Sequence, residues 1–224
     1  MYYPQPIYPS PEASSFSHNN RHIIEVSGEG TISAAPDKSS IVLGAVTDNM
    51  SLSKAQADNA ATLSAIIDSL LKLHIPKEQI QTVTYRIDIQ YNYEDGKQIF
   101  KGYQVTHLLQ ITIDKIDMTG LVIDTAVAQG ANSVSHIHFT VAHPELYYNH
   151  ALSLAIKNAE NKAVIIAKTL GATLIKNPIQ IQEESHVTEP IPYQTTLYAK
   201  SAATPIQPGE LKISAAVRAK YSYF

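Results

Sequence analysis

The chain has 224 residues, 44% hydrophobic and 17% charged, a composition that supports a sizeable buried core and excludes the disordered and fibrous classes. A formal net charge of -3 supplies no drive toward nucleic acid, and the lack of cysteine excludes disulfides, thiolate zinc sites and a cysteine nucleophile. The low charged fraction also favours burial of part of the surface against other copies.

Met1 to Arg21 mixes proline, tyrosine, serine and asparagine without a hydrophobic period, which predicts a flexible arm ahead of a folded domain over 22–224. The first twenty residues lack the cationic start and apolar run of a secretory leader, so the chain is expected in the cytoplasm. No later stretch approaches the roughly 20 consecutive apolar residues that span a bilayer.

His22 to Ser33 reads as a short strand around Ile24 and Val26. Gly28-Glu29-Gly30 interrupts it, and the glycines are expected to make a backbone bend or bulge there. Ser39 to Val46 is a second strand. Leu52, Leu63, Ile66, Leu70 and Leu73, spaced in threes and fours, predict an amphipathic helix that stops before Pro76.

Val83, Tyr85, Ile87, Ile89, Tyr91 and Tyr93 then alternate with polar residues, the period of a half-buried strand. Glu94-Asp95-Gly96-Lys97 supplies a tight turn, and alternation resumes from Tyr103 to Ile113, so the two strands form a hairpin. Asp117 to Gln129, closed by Gly130, predicts a short helix, and Val134 to Val141 a further strand.

The longest helix is expected from His143 to Leu170, with Pro144 in its first turn and Gly171 as its cap. On it Ala151, Ala155, Ala159, Ala163 and Ala167 recur every fourth residue, a ridge that lets a neighbouring backbone approach closely. Pro178 to His186 and Gly209 to Phe224 complete the strands. Between them 188–208, rich in proline, reads as a mobile loop.

The order is β-β-α-β-β-α-β-α-β-β. Its central β-α-β-β-α-β portion predicts an α+β fold, a mostly antiparallel sheet with helices on one face, joined by a long third helix and two C-terminal strands.

Val26 to Gly30, Pro36-Asp37, the run from Gln79 to Tyr91 with Tyr103, Gly130, the alanine ladder ending at Gly171, and Pro208-Gly209 together resemble the SIMPL-domain family over 22–224. The resemblance implies an α+β fold without established enzymatic activity. It also implies relatives that are periplasmic or surface-associated, one of them a ring- or channel-shaped oligomer, and others linked to oxidative stress or kinase signalling. This sequence departs from many of them in showing no export signal.

Candidate chemical sites are weak. Gly28-Glu29-Gly30 lacks the third glycine and the lysine-serine pair of a phosphate loop. His136 and His138 share a strand face with His143 nearby, a metal-ligand spacing, but alternation turns Ile137, Phe139 and Val141 to the core and the histidines to solvent. Glu183 with Glu184, and Asp114 with Asp117, read as solvated or capping acids. No cofactor or metal is therefore expected, and no catalytic residue is assigned.

The tyrosines Tyr85, Tyr91, Tyr93 and Tyr103 gather on the hairpin, either against a partner or beneath the protein's own helices. Gly28, Gly30, Gly130, Gly171, Gly209, Ala155, Ala159 and Ala163 are expected to serve structure. The function expected is a non-enzymatic protein that assembles into a homo-oligomer, and the alternative is a small-molecule or peptide-binding module.

Overall fold

The computed structural model describes residues 22–184, 191–193 and 204–224, and the amino-terminal arm lies outside them. The described strands form two antiparallel sheets. One contains β2 (Lys38–Asn49), β3 (Ile80–Glu94), β4 (Lys97–Ile113) and β5 (Ser133–Thr140), in the order β3-β4-β2-β5. That order is the split arrangement expected from the central β-α-β-β-α-β pattern.

Helices α1 (Leu52–Lys72) and α2 (Thr119–Ala128) cover one face of this sheet. The inward stripe of α1 is Ala55, Asn59, Leu63, Ile66 and Leu70, the three- and four-residue steps that keep one helix face on a core. It meets Ile41, Leu43, Leu109 and Ile111, all buried. Burial of each such side chain contributes on the order of 2 kcal/mol. Buried Asn59 is held by two bonds it donates, to the carbonyls of Ala45 (3.0 Å) and Val105 (3.2 Å).

The strands outside the split portion form the second sheet. β1 (Ile23–Ala34) and β8 (Glu210–Ser222) pair along their whole lengths, and Gly209 stands just before β8. On the other flank of β8 lie β6 (Gln180–Glu184) and β7 (Ile191–Tyr193). Ile191–Tyr193 falls inside the stretch expected as a loop over 188–208. At the end of that stretch the Thr204 hydroxyl donates to Asp124 Oδ1 at 2.5 Å.

Helix α3 (Pro144–Thr169) lies on the β1-β8 face, and Ala151, Ala155, Ala159, Ala163 and Ala167 are all buried there. This contact corrects the expected role of Gly28 and Gly30. β1 pairs with β8 without a register break, so the glycines make no bend or bulge. A Cβ on Gly28 would stand 2.1 Å from the Ala155 carbonyl oxygen, and one on Gly30 would stand 2.1 Å from that of Ala151. Helix and strand backbones touch, and only glycine leaves the room.

Gly130 and Gly171 end α2 and α3 at φ values of 99° and 70°. There the amides of Ala131 and Ala172 reach back to the carbonyls of Ala126 and Ala167, the closure that a left-handed residue makes possible. A third cluster, Ala34, Val141, Leu211 and Ile213 with Tyr147 and Tyr148 against it, fills the space between the two sheets.

Candidate functional site

The hairpin of β3 and β4 is longer than the sheet that carries it. The last β2–β4 pair is Asn49 with Tyr103, so 90–102 projects as a two-stranded ribbon. It leaves the sheet at Gly102, whose φ is 137° and whose Cβ would meet the Asn49 carbonyl oxygen at 2.8 Å. Asp95 and Gly96, at φ 49° and 75°, make the tight turn at its tip.

Alternation on β3 predicts a half-buried apolar face, but α1 reaches it only at Tyr85, through Gln56. Tyr85, Ile87, Ile89, Tyr91 and Tyr93 remain 37% to 74% exposed. α1 packs on β2 and β4, and β3 is the outermost strand beyond them. A row of apolar side chains is left in solvent beside the paired core residue Val105.

The four hairpin tyrosines do not form one cluster. Tyr91 and Tyr103 are joined through Phe100, with ring centroids 6.2 Å and 5.4 Å apart and planes near perpendicular. Tyr85 stands apart, its hydroxyl accepting from Gln56 Nε2 at 3.1 Å and its ring edge-on to His107. Tyr93 lies near the tip. Phe100 went unassigned in the sequence because a one-residue shift at Gln90/Tyr91 puts it out of step with the alternation read from Tyr103. Burial lowers the pKa of His107, and its Nε2 lies 3.1 Å from the Thr82 hydroxyl.

On the opposite, polar face of β3, Arg86 Nε and Asp88 Oδ2 pair at 2.6 Å. The strand's outward backbone edge also differs from the other edges. β1 is capped by α3, since Asn158 Oδ1 accepts from the Glu29 amide (3.2 Å) and Lys162 Nζ donates to the Ser27 carbonyl (2.8 Å). β5 is interrupted at His136, which adopts φ 35° where the register with β2 shifts. Over the described residues β6 and β7 run for five and three residues. β3 runs for 15 residues, and among the described residues no side chain from another element caps it.

The remaining candidates are dispersed. His136 and His138 are exposed on β5, and His143 Nδ1 lies 3.2 Å from Glu145 Oε1. Among the described residues no cluster of three or more His, Asp or Glu is placed to hold a metal. Glu183 accepts from the Tyr148 hydroxyl at 2.5 Å, which raises the tyrosine's pKa, and Glu184 pairs with Arg218 at 2.7 Å. Asp114 is held by Lys38 and Gln79, whose hydrogen bonds keep its carboxyl below the ordinary range. Asp117 sits apart in a single 3-10 turn over Ile116–Met118. Glu183, Glu184 and Asp114 are engaged in separate surface contacts rather than converging on one cleft.

A family profile described as "SIMPL: Protein of unknown function (DUF541)" matches residues 24–221. Uncharacterized protein YggE of Escherichia coli K12 is 28% identical over 200 residues, which cover 88% of this chain and 78% of that protein. The 26 kDa periplasmic immunogenic protein of Brucella melitensis is 27% identical over 198 residues, covering 84% of this chain and 79% of that one. The second similarity overturns the expectation of a cytoplasmic location. That expectation rested on Met1 to Asn20, whereas the similarity to the periplasmic protein runs over 84% of this chain.

Proposed function

Because the chain belongs to the SIMPL family, we propose that it is a non-enzymatic interaction protein of the bacterial envelope that associates with copies of itself through the β3–β4 hairpin. One observation carries this reading: a 15-residue edge strand whose apolar face is exposed from Tyr85 to Tyr93. A monomer that exposes such an edge is prone to uncontrolled pairing, whereas among the described residues the edge of β1 is capped and that of β5 is interrupted. The aromatic group of Tyr91, Phe100 and Tyr103 suits an interface because it offers large rigid area with polar tips.

An envelope setting is supported by the periplasmic relative. A non-enzymatic role is supported by the separate engagement of Glu183, Glu184 and Asp114 in surface contacts. Light scattering across a concentration series tests the proposal. Particles of two or more 24.6 kDa chains are expected, and a single-chain mass at every concentration overturns it.

The alternative of a binding module is supported by open clefts of about 360 Å³ beside Leu73, Pro76, Gln79 and Asp114 and about 340 Å³ beside Val26, Lys162 and Ile166, which reach the roughly 300 Å³ at which small-molecule sites begin. The cleft at the base of the ribbon, beside Asn49, Gln90 and Tyr103, is smaller at about 220 Å³. A melting-temperature rise with a peptide or metabolite, together with a monomeric mass, would favour this second reading.

A further inference from the structure

We infer that β3 pairs with β3 of a second copy, antiparallel about a two-fold axis at Ile87, and so joins two four-stranded sheets into one. The inference rests on the proposed self-association and gives it a register. The β3–β4 ladder shifts at Thr82/Thr84 and again at Gln90/Tyr91. Between those irregularities the strand is regular over 84–90, and Ile87 is the midpoint of that stretch.

The sequence around this midpoint is self-complementary. With Ile87 facing its own copy, Arg86 lies opposite Asp88 of the second chain and Asp88 opposite its Arg86. The pair that each chain closes internally at 2.6 Å therefore gains two cross-strand partners of opposite charge. On the other face Tyr85 lies opposite Ile89 and Ile87 opposite Ile87, the aromatic and β-branched pairs that stabilise antiparallel strands. Thr84 meets Gln90 at both ends of the regular stretch.

A shift of one residue would put Arg86 opposite Ile87 or Ile89 opposite Arg86, mixing the polar and apolar faces. A shift of two would move the axis to Arg86 or Asp88 and set like charges opposite each other, Arg86 against Arg86 or Asp88 against Asp88, which destabilises the pairing. The two-fold arrangement places the same patch on both copies, so the contact closes on itself and does not propagate along the sheet.

The chain contains no cysteine, which makes a disulfide test specific. Residues directly opposite in an antiparallel pair stand about 4.5–5.5 Å apart at Cα, within disulfide reach. Ile87→Cys in the full chain is expected to give a disulfide-linked dimer on mild oxidation, and Ser153→Cys, on the exposed side of α3, is expected to stay uncrosslinked. Arg86→Asp is expected to weaken association about tenfold. The exchange Arg86→Asp/Asp88→Arg is expected to restore it.

If the chain is oligomeric by mass but Ile87→Cys crosslinks no faster than Ser153→Cys, the β3 pairing is wrong and self-association stands. Failure of the charge exchange to restore association also overturns the register. A monomeric mass removes both.

Discussion

Gly28 and Gly30 show how single residues set the distance between layers. With each Cβ position 2.1 Å from a carbonyl oxygen of α3, Gly28→Ala must push the helix off its strand. The expected loss is about 3 kcal/mol, the upper range for overpacking, read as a fall in the denaturant midpoint. Buried Asn59 works in the opposite sense. Asn59→Ala leaves two inward carbonyls without their donor, and a loss of about 2 kcal/mol is expected.

His107 gives a pH signature. Its folded-state pKa lies below the ordinary value because burial disfavours the charged ring. The unfolded chain therefore binds the proton more readily, and stability falls as pH drops below the ordinary imidazole range near 6.5. The thermal midpoint is expected to decline between about pH 7 and pH 5, with His107→Asn flattening that part of the curve.

At the scale of elements, the alternation of β3 was plain in the sequence while its exposure was not. Period-two patterning says that one face is apolar, but not whether a helix reaches it. α1 stops short because β3 is the outermost strand, a fact of strand order. The alanine ridge of α3 was likewise visible, yet the glycines it meets were read as a bend, since two glycines in a strand signal a bulge or a close approach equally well. The partner helix lies more than a hundred residues away in the chain, beyond the reach of local pattern.

The same scale carries a prediction about edges. Asn158→Ala with Lys162→Ala removes the caps on the Ser27 and Glu29 backbone. Larger, concentration-dependent assemblies are expected by sedimentation, as a second edge becomes available. Tyr91→Ser with Phe100→Ser is expected to reduce association while shifting folding stability by no more than about 1–2 kcal/mol, because both residues, 42% and 40% exposed, lie outside the buried core.

At the scale of the molecule, the two sheets and three helices of the described residues divide into two cores bridged by Ala34, Val141, Leu211 and Ile213. Among the described edges β1 is capped and β5 is interrupted, and β3 is the longest that stays uncovered. The central claim is that this edge is closed by another copy. Amide hydrogen exchange followed over a dilution series tests it most directly. Protection of 84–90 is expected to fall as the chain is diluted to monomer, while β1 and β8 keep theirs. An oligomer that dissociates with no change in exchange over 84–90 would contradict the account.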